Sequence, residues 1–228
     1  MTATTTTTTM RVRNAALLGL AGIGAAGAIA LSAPQAASAA EPVNPIPVNP
    51  AAAPAAPVAP AQADLSVVGT LQPNGYYCGP AATRIALSAH DTPPTFDSLA
   101  GELGTTRAGT QSIDDITRVL NEHTGGHYAS VHLDGDDVTA EQTDKFRTDV
   151  KDSVSQGDPV VANIVGQVVD TDGETHRYMG GHYLTVTGYT DDGATVTVTD
   201  PADKKGDNTY QLPIDQMADW MGTRGYSS

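Results

Sequence analysis

The chain predicts an α+β domain, with helices first and an antiparallel sheet after them. Three observations carry that expectation. Segments with helical periodicity occupy residues 81–89, 112–123 and 140–155. Segments that are β-branched or strictly alternating occupy 159–169, 182–189 and 194–200. The texture changes only once, at Gly157-Asp158-Pro159, which excludes a repeating strand–helix–strand pattern with a parallel sheet.

Each element has its own justification. Gln72 to Tyr77 (QPNGYY) is rich in turn residues, and Pro80 suits the first turn of a helix continuing through Ala81 to Ala89. In Ser112 to His123, Ile113, Ile116, Val119 and Leu120 share one face. Asp115, three residues after Ser112, suggests a loose capping box, and Gly125-Gly126 ends the helix. A third helix over Ala140 to Ser155 places Phe146, Val150 and Val154 four residues apart, as a core stripe. Pro159 to Val169 (PVVANIVGQVV) reads as a buried strand. His182 to Tyr189 and Ala194 to Asp200 alternate, and Asp191-Asp192-Gly193 between them reads as a hairpin turn. Trp220, the only tryptophan, is expected to anchor the C-terminal segment.

The N-terminal part is different. Residues 1–40 hold Arg11 and Arg13 and no acid, followed by an apolar run from Ala15 to Leu31 and a small-residue motif at Ala37-Ser38-Ala39. This is the pattern of a signal peptide over residues 1–39. Residues 40–63 are Pro/Ala-rich and are expected to form a disordered, extended spacer. One domain remains, over residues 64–228, long enough for one sizeable core. The 228-residue chain carries 12 Lys+Arg and 26 Asp+Glu, a net charge of -14, and loss of the leader's two arginines makes it -16. Such a polyanion lacks the clustered cations that nucleic acid or an anionic membrane surface requires, so neither is an expected partner of the mature form. The single cysteine excludes an intramolecular disulfide and a Cys-rich zinc site.

That cysteine, Cys78, stands just before Gly79-Pro80 and a helix. The unpaired N–H groups and positive dipole end of a helix start favour a thiolate, the nucleophilic form. Gln72, six residues earlier, carries an amide able to donate to a developing oxyanion. A cysteine nucleophile needs an imidazole to take and return its proton, and His182 opens the alternating strand. If the hairpin folds about Asp192, facing residues have numbers summing to about 384. Asp200 is then the diagonal neighbour of His182 on the same face, within side-chain reach. A one-residue slip would put the two on opposite faces. In that register, Asp200 can orient His182 and stabilise its imidazolium.

QPNGYYCGPAA around Cys78, GGHYLTVTGY around His182 and TVTVTDPAD around Asp200 resemble the three motifs of the bacteriocin-processing (double-glycine leader) peptidase-like cysteine peptidases. That family is a branch of the papain-like clan, and the resemblance runs from Leu65 to the Trp220 region. It implies a papain-like fold with N-terminal helices packed on an antiparallel sheet. It further implies Cys78 as nucleophile, His182 as general base and acid, Asp200 as the orienting residue and Gln72 as the oxyanion donor. No cofactor or metal is called for, and the implied substrate is a peptide or protein. The family's best-known members sit on membrane-embedded, ATP-driven exporters. This chain shows no such apparatus, so leader processing is not carried over. The expectation is a monomeric, secreted stand-alone relative, extracellular or associated with the cell wall. The alternative is a secreted, non-catalytic binding module of the same fold.

Two further clusters are set aside. His123, His127 and His132 are interrupted by Gly125-Gly126, and no metalloprotease glutamate accompanies them. Asp134, Asp136 and Asp137, and likewise Asp170, Asp172 and Glu174, miss the EF-hand spacing and read as solvated acidic loops. Tyr76 and Tyr77 either line a cleft or pack.

Overall fold

The computed structural model describes residues 58–135 and 137–228. The expected signal peptide and most of the expected spacer lie outside the described residues. The spacer's end does not behave as a tether. Ala63–Asp64 form a short strand, β1, paired with Tyr189 and Gly188. The Pro60 carbonyl accepts from the Tyr189 hydroxyl at 2.9 Å, and the Ala61 carbonyl accepts from the Asp192 amide at 2.8 Å. Proline lacks a donor but keeps its acceptor, so a Pro/Ala-rich segment can still be bound through its carbonyls.

Three helices follow: α1 (Cys78–Leu87), α2 (Phe96–Glu102) and α3 (Ile113–Thr124). After the short strand β2 (Ser130–His132) comes α4 (Ala140–Gln156). The sheet strands are β3 (Val160–Val169), β4 (Thr175–Thr190), β5 (Thr195–Thr199) and β6 (Thr209–Pro213). Helix α5 (Ile214–Met221) and strand β7 (Gly225–Ser227) complete the chain. Among the described residues the strands form one seven-stranded sheet ordered β2-β7-β3-β4-β5-β6, with β1 pairing β4, and every pairing is antiparallel. The α+β class is as expected.

Helix ends obey local chemistry. The Ser112 hydroxyl accepts from the Asp114 amide, so the reciprocal box with Asp115 does not form. A full capping box does form at α4, where Thr139 and Gln142 satisfy each other's backbone amides. A cap of this kind contributes about 1 kcal/mol. Gly125 and Gly157 close α3 and α4 in the left-handed conformation that favours glycine.

The helices cover both faces of the sheet. Val161, Asn163, Tyr183 and Thr185 share one face by register. There Val161 and Tyr183 pack with α1, α2 and α3 through Ala82, Leu99, Ile116 and Leu120. The alternate residues Ala162, Ile164, Leu184 and Val186 pack with α4 and α5 through Phe146, Val150 and Met217. The expected stripe of α4 is thus a core stripe, and Trp220 is buried against this second core. Each large apolar side chain so buried contributes about 1.5–3 kcal/mol.

Two regions differ from the sequence expectation. Strand β4 begins at Thr175 and not at His182, because Arg177, Met179 and the glycine pair mask the alternation. Asp170, expected in a solvated loop, is buried: it accepts from the Asp172 and Glu174 amides and lies 2.9 Å from His176 Nε2. It shapes the β3–β4 turn, a role that composition does not reveal.

Candidate active site

Cys78 is the first residue of α1, half-buried, with its helix start packed against the α1–α3 core. The Thr185 hydroxyl donates to the Ala82 carbonyl at 3.0 Å, which ties α1 to β4. Gly79 permits a close approach: a Cβ there would lie 2.2 Å from Thr110 Oγ1.

His182 belongs to the other face, opposite Ile164. The two faces meet at the end of the regular ladder. Between His182 and Tyr178 the strand bulges through Met179, Gly180 and Gly181, against the single residue Val165 of β3. Gly181 has φ +91°, a conformation that glycine adopts freely. This break lets an imidazole from one face reach a thiol from the other.

Asp200 follows β5 and is fully buried. Its Oδ1 lies 2.7 Å from His182 Nε2 and accepts the Ala202 amide at 2.8 Å. Its Oδ2 accepts the Tyr178 and Tyr210 hydroxyls at 2.8 and 2.9 Å. A carboxylate has about four acceptor sites, and all are used. Tyr178 also stacks on the His182 ring at 4.0 Å. Since Nε2 is engaged by Asp200, Nδ1 is the nitrogen left for the Cys78 side.

The electrostatics follow from this geometry. Burial alone would raise the Cys78 thiol pKa. The hydrogen bond and charge of His182, with the Tyr183 and Gly79 amides, outweigh it and bring the pKa below its ordinary value. Burial likewise disfavours the charged His182, but Asp200 and Cys78 more than compensate, and its pKa is pushed up to about 9. Burial would raise Asp200; its bond to His182 leads the effects that hold it below the usual carboxylate range. All three shifts favour a thiolate, an imidazolium and a carboxylate in one row.

Gln72 is held nearby by its backbone, whose amide donates to the Pro201 carbonyl at 2.8 Å. Its side-chain nitrogen donates to the Asn74 carbonyl at 2.7 Å, and its Oε1 is buried without a partner. It is not among the residues that line the cleft beside Cys78. The amide nitrogen still carries a second hydrogen. Tyr76 and Tyr77 pack edge to face, and the Tyr77 hydroxyl donates to Asp97.

The histidine cluster is divided in space. His123 pairs with Glu102 at 2.7 Å and His132 with Asp114 at 2.9 Å. Among the described residues no group of three His, Cys, Asp or Glu is arranged to hold a metal ion.

Tyr178 and Tyr210 are the residues that sequence reasoning missed. A tyrosine in a strand ordinarily reads as packing. The one signal that could have found them is that an aspartate buried at a strand end needs hydrogen-bond donors.

A family model described as the Peptidase_C39 like family matches residues 62–227. No curated protein matches the chain. Among solved structures, it is similar to one described as a C39-like peptidase from Bacillus anthracis, with 15% identity and a TM-score of 0.49. That match covers 73% of this chain and 96% of the other. It is similar to a double glycine motif protease from an AMS/PCAT transporter, in complex with the leader peptide, with 13% identity and a TM-score of 0.45. There the coverage is 72% and 91%. The peptidase domain of Streptococcus ComA is a third, at 14% identity, TM-score 0.43 and coverage of 69% and 93%.

Proposed function

This chain belongs to the Peptidase_C39 like family, and on that premise we propose that it is a secreted thiol hydrolase that cleaves a peptide or amide bond. The observation that supports this most directly is the buried His182–Asp200 pair, 2.7 Å apart, beside a cysteine at a helix start. Cys78 is the nucleophile, His182 the base and acid, and Asp200 the group that fixes the imidazole.

The proton balance is simple. The Cys78 thiolate adds to the carbonyl carbon while His182 holds the thiol's proton. The oxyanion is held by the Cys78 N–H and the second amide hydrogen of Gln72. The tetrahedral intermediate collapses, the C–N bond breaks, and His182 gives its proton to the leaving amine. Water then attacks the thioester, with His182 as base, and the acid product leaves with Cys78 restored. No step calls for a cofactor. Buried Asp200, saturated with donors, stays a carboxylate and stabilises the imidazolium.

Export is supported by the leader-like pattern of residues 1–39. Alkylation separates this function from a non-catalytic binding module. Near pH 6, Cys78 should react with iodoacetamide at least ten times faster than a free thiol, because a thiolate is present. A rate equal to that of a small thiol would favour the binding module.

A further inference from the structure

The cleft beside Cys78 has a volume of about 170 Å³, and Gly180, Gly181, His182, Asn163 and Arg224 are among the residues that line it. The proposed hydrolysis uses Cys78 and His182 and leaves Asn163 and Arg224 without a task.

Arg224 is exposed, and among the described residues its side chain makes no hydrogen bond and no ion pair. Arg118, Lys145, Arg147, Lys151 and Lys205 each hold a carboxylate. Arg107, Arg177 and Lys204 are likewise without a side-chain partner among the described residues, but of these cations it is Arg224 that lines the cleft beside Cys78. Its guanidinium reaches back to the bulge: a Cβ at Gly181 would lie 3.5 Å from Nη2. Its backbone is fixed, with the amide donating to the Met221 carbonyl at 3.0 Å and the carbonyl accepting from Leu133 at 3.3 Å.

Asn163 is only 8% exposed, and its side-chain amide has no hydrogen-bond partner among the described residues. Asn163 lines the cleft, so its amide is free to meet a polar group placed there. The register explains its place. Tyr183, Asn163 and Gly225 form one row across β4, β3 and β7, so Asn163 stands between the neighbour of His182 and the neighbour of Arg224. A guanidinium fork and an unpartnered amide lining the same cleft match a planar anion with two oxygens.

We propose that Arg224 and Asn163 form a specificity subsite for a carboxylate adjacent to the scissile bond, so that the enzyme selects acidic substrates. This rests on the hydrolase function proposed above. The carboxylate is either an Asp or Glu side chain or the free carboxylate of a chain end. The selection is local and opposes the molecule's own field, which repels anions at long range.

The test uses two alkylating reagents that differ only in charge, iodoacetate and iodoacetamide, on the full domain. In the wild type, the ratio of their rates at Cys78 should exceed that in Arg224→Met by about tenfold, the size expected for one charge-assisted contact. The iodoacetamide rate should not change. Arg224→Lys should restore part of the ratio, and Asn163→Ala should lower it. Peptides with Asp or Glu against Asn or Gln at the cleavage site, and with free against amidated ends, then identify the source of the carboxylate. Fast alkylation with a ratio insensitive to Arg224 would overturn the subsite and leave the hydrolase standing. Slow alkylation by both reagents, with the ratio still falling in Arg224→Met, would sink the hydrolase and leave the carboxylate subsite.

Discussion

His182 Nε2 and Asp200 Oδ1 stand 2.7 Å apart across a hairpin whose register is not constant. Near the turn, Gly188 faces Thr197 and Tyr189 faces Val196. Beyond Thr187, Val186 faces Val198 and Thr185 faces Thr199. A bulge at Thr187 therefore shifts the pairing by one residue before the strands reach the site. Without it, His182 and Asp200 would lie one step out of phase. The turn itself holds Asp191, Asp192 and Gly193 at positive φ. It packs on α4, where Lys151 pairs with Asp192.

Replacing Cys78 with Ala should abolish hydrolysis, by at least about 10³-fold, while leaving the fold intact. Circular dichroism and a peptide-turnover assay on the same sample check this. Turnover close to that of the wild type would remove Cys78 from the mechanism.

Asp200→Asn should lower kcat/KM by about 10²–10⁴-fold, because the imidazolium loses its counter-charge and its orientation. Tyr210→Phe removes one of the four donors to Asp200 and should cost about 1–3 kcal/mol of stability. Urea unfolding of the Tyr210 variant measures the second effect. An unchanged midpoint would show that this hydroxyl contributes nothing.

Activity should follow a bell-shaped pH profile. Its acid limb should lie below the ordinary range for a thiol, since the Cys78 pKa is lowered, and its alkaline limb near the His182 value of about 9. Stability carries the same sign. The raised His182 pKa means its contribution is full below about 6.5, the unfolded value, and is lost as pH rises through the folded value of about 9. The lowered Asp200 pKa contributes above the ordinary carboxylate range and is lost as pH falls through the depressed value. Unfolding midpoints at pH 6.5 should therefore exceed those at pH 9.5. His182→Phe should flatten the difference, and a slope that survives this substitution would assign it elsewhere.

Gly79→Ala should destabilise the domain by about 1–3 kcal/mol, because the new methyl meets Thr110, a buried β-branched side chain that cannot swing aside. The same shift should slow Cys78 alkylation, since the helix start would move from the cleft wall. Thermal unfolding and the alkylation rate report the two effects separately.

If residues 1–39 act as a signal peptide, the exported protein should begin at Ala40. N-terminal sequencing or intact mass of the secreted form decides this, and an intact Met1 on the secreted chain would contradict it.

Much of the domain was determined by sequence alone, for local reasons. Helical periodicity placed α3 and α4, with Ile116, Val119, Phe146 and Val150 facing inward. Strand alternation put His182 on the face of Leu184 and Val186, and the turn residues before Cys78 put it at a helix start. These are short-range properties: periods of 3.6 and 2, and the chemistry of a turn. Tertiary structure decided the rest. The Thr187 bulge set the phase between His182 and Asp200, because register depends on how two strands pack and not on either alone. The Met179–Gly181 bulge brought the thiol and the imidazole together from opposite faces. Tyr178 and Tyr210 became donors to Asp200, and Arg224 and Asn163 became neighbours in a cleft, because strands distant in sequence lie side by side. Such contacts have no local signature, since they depend on where the rest of the chain has gone.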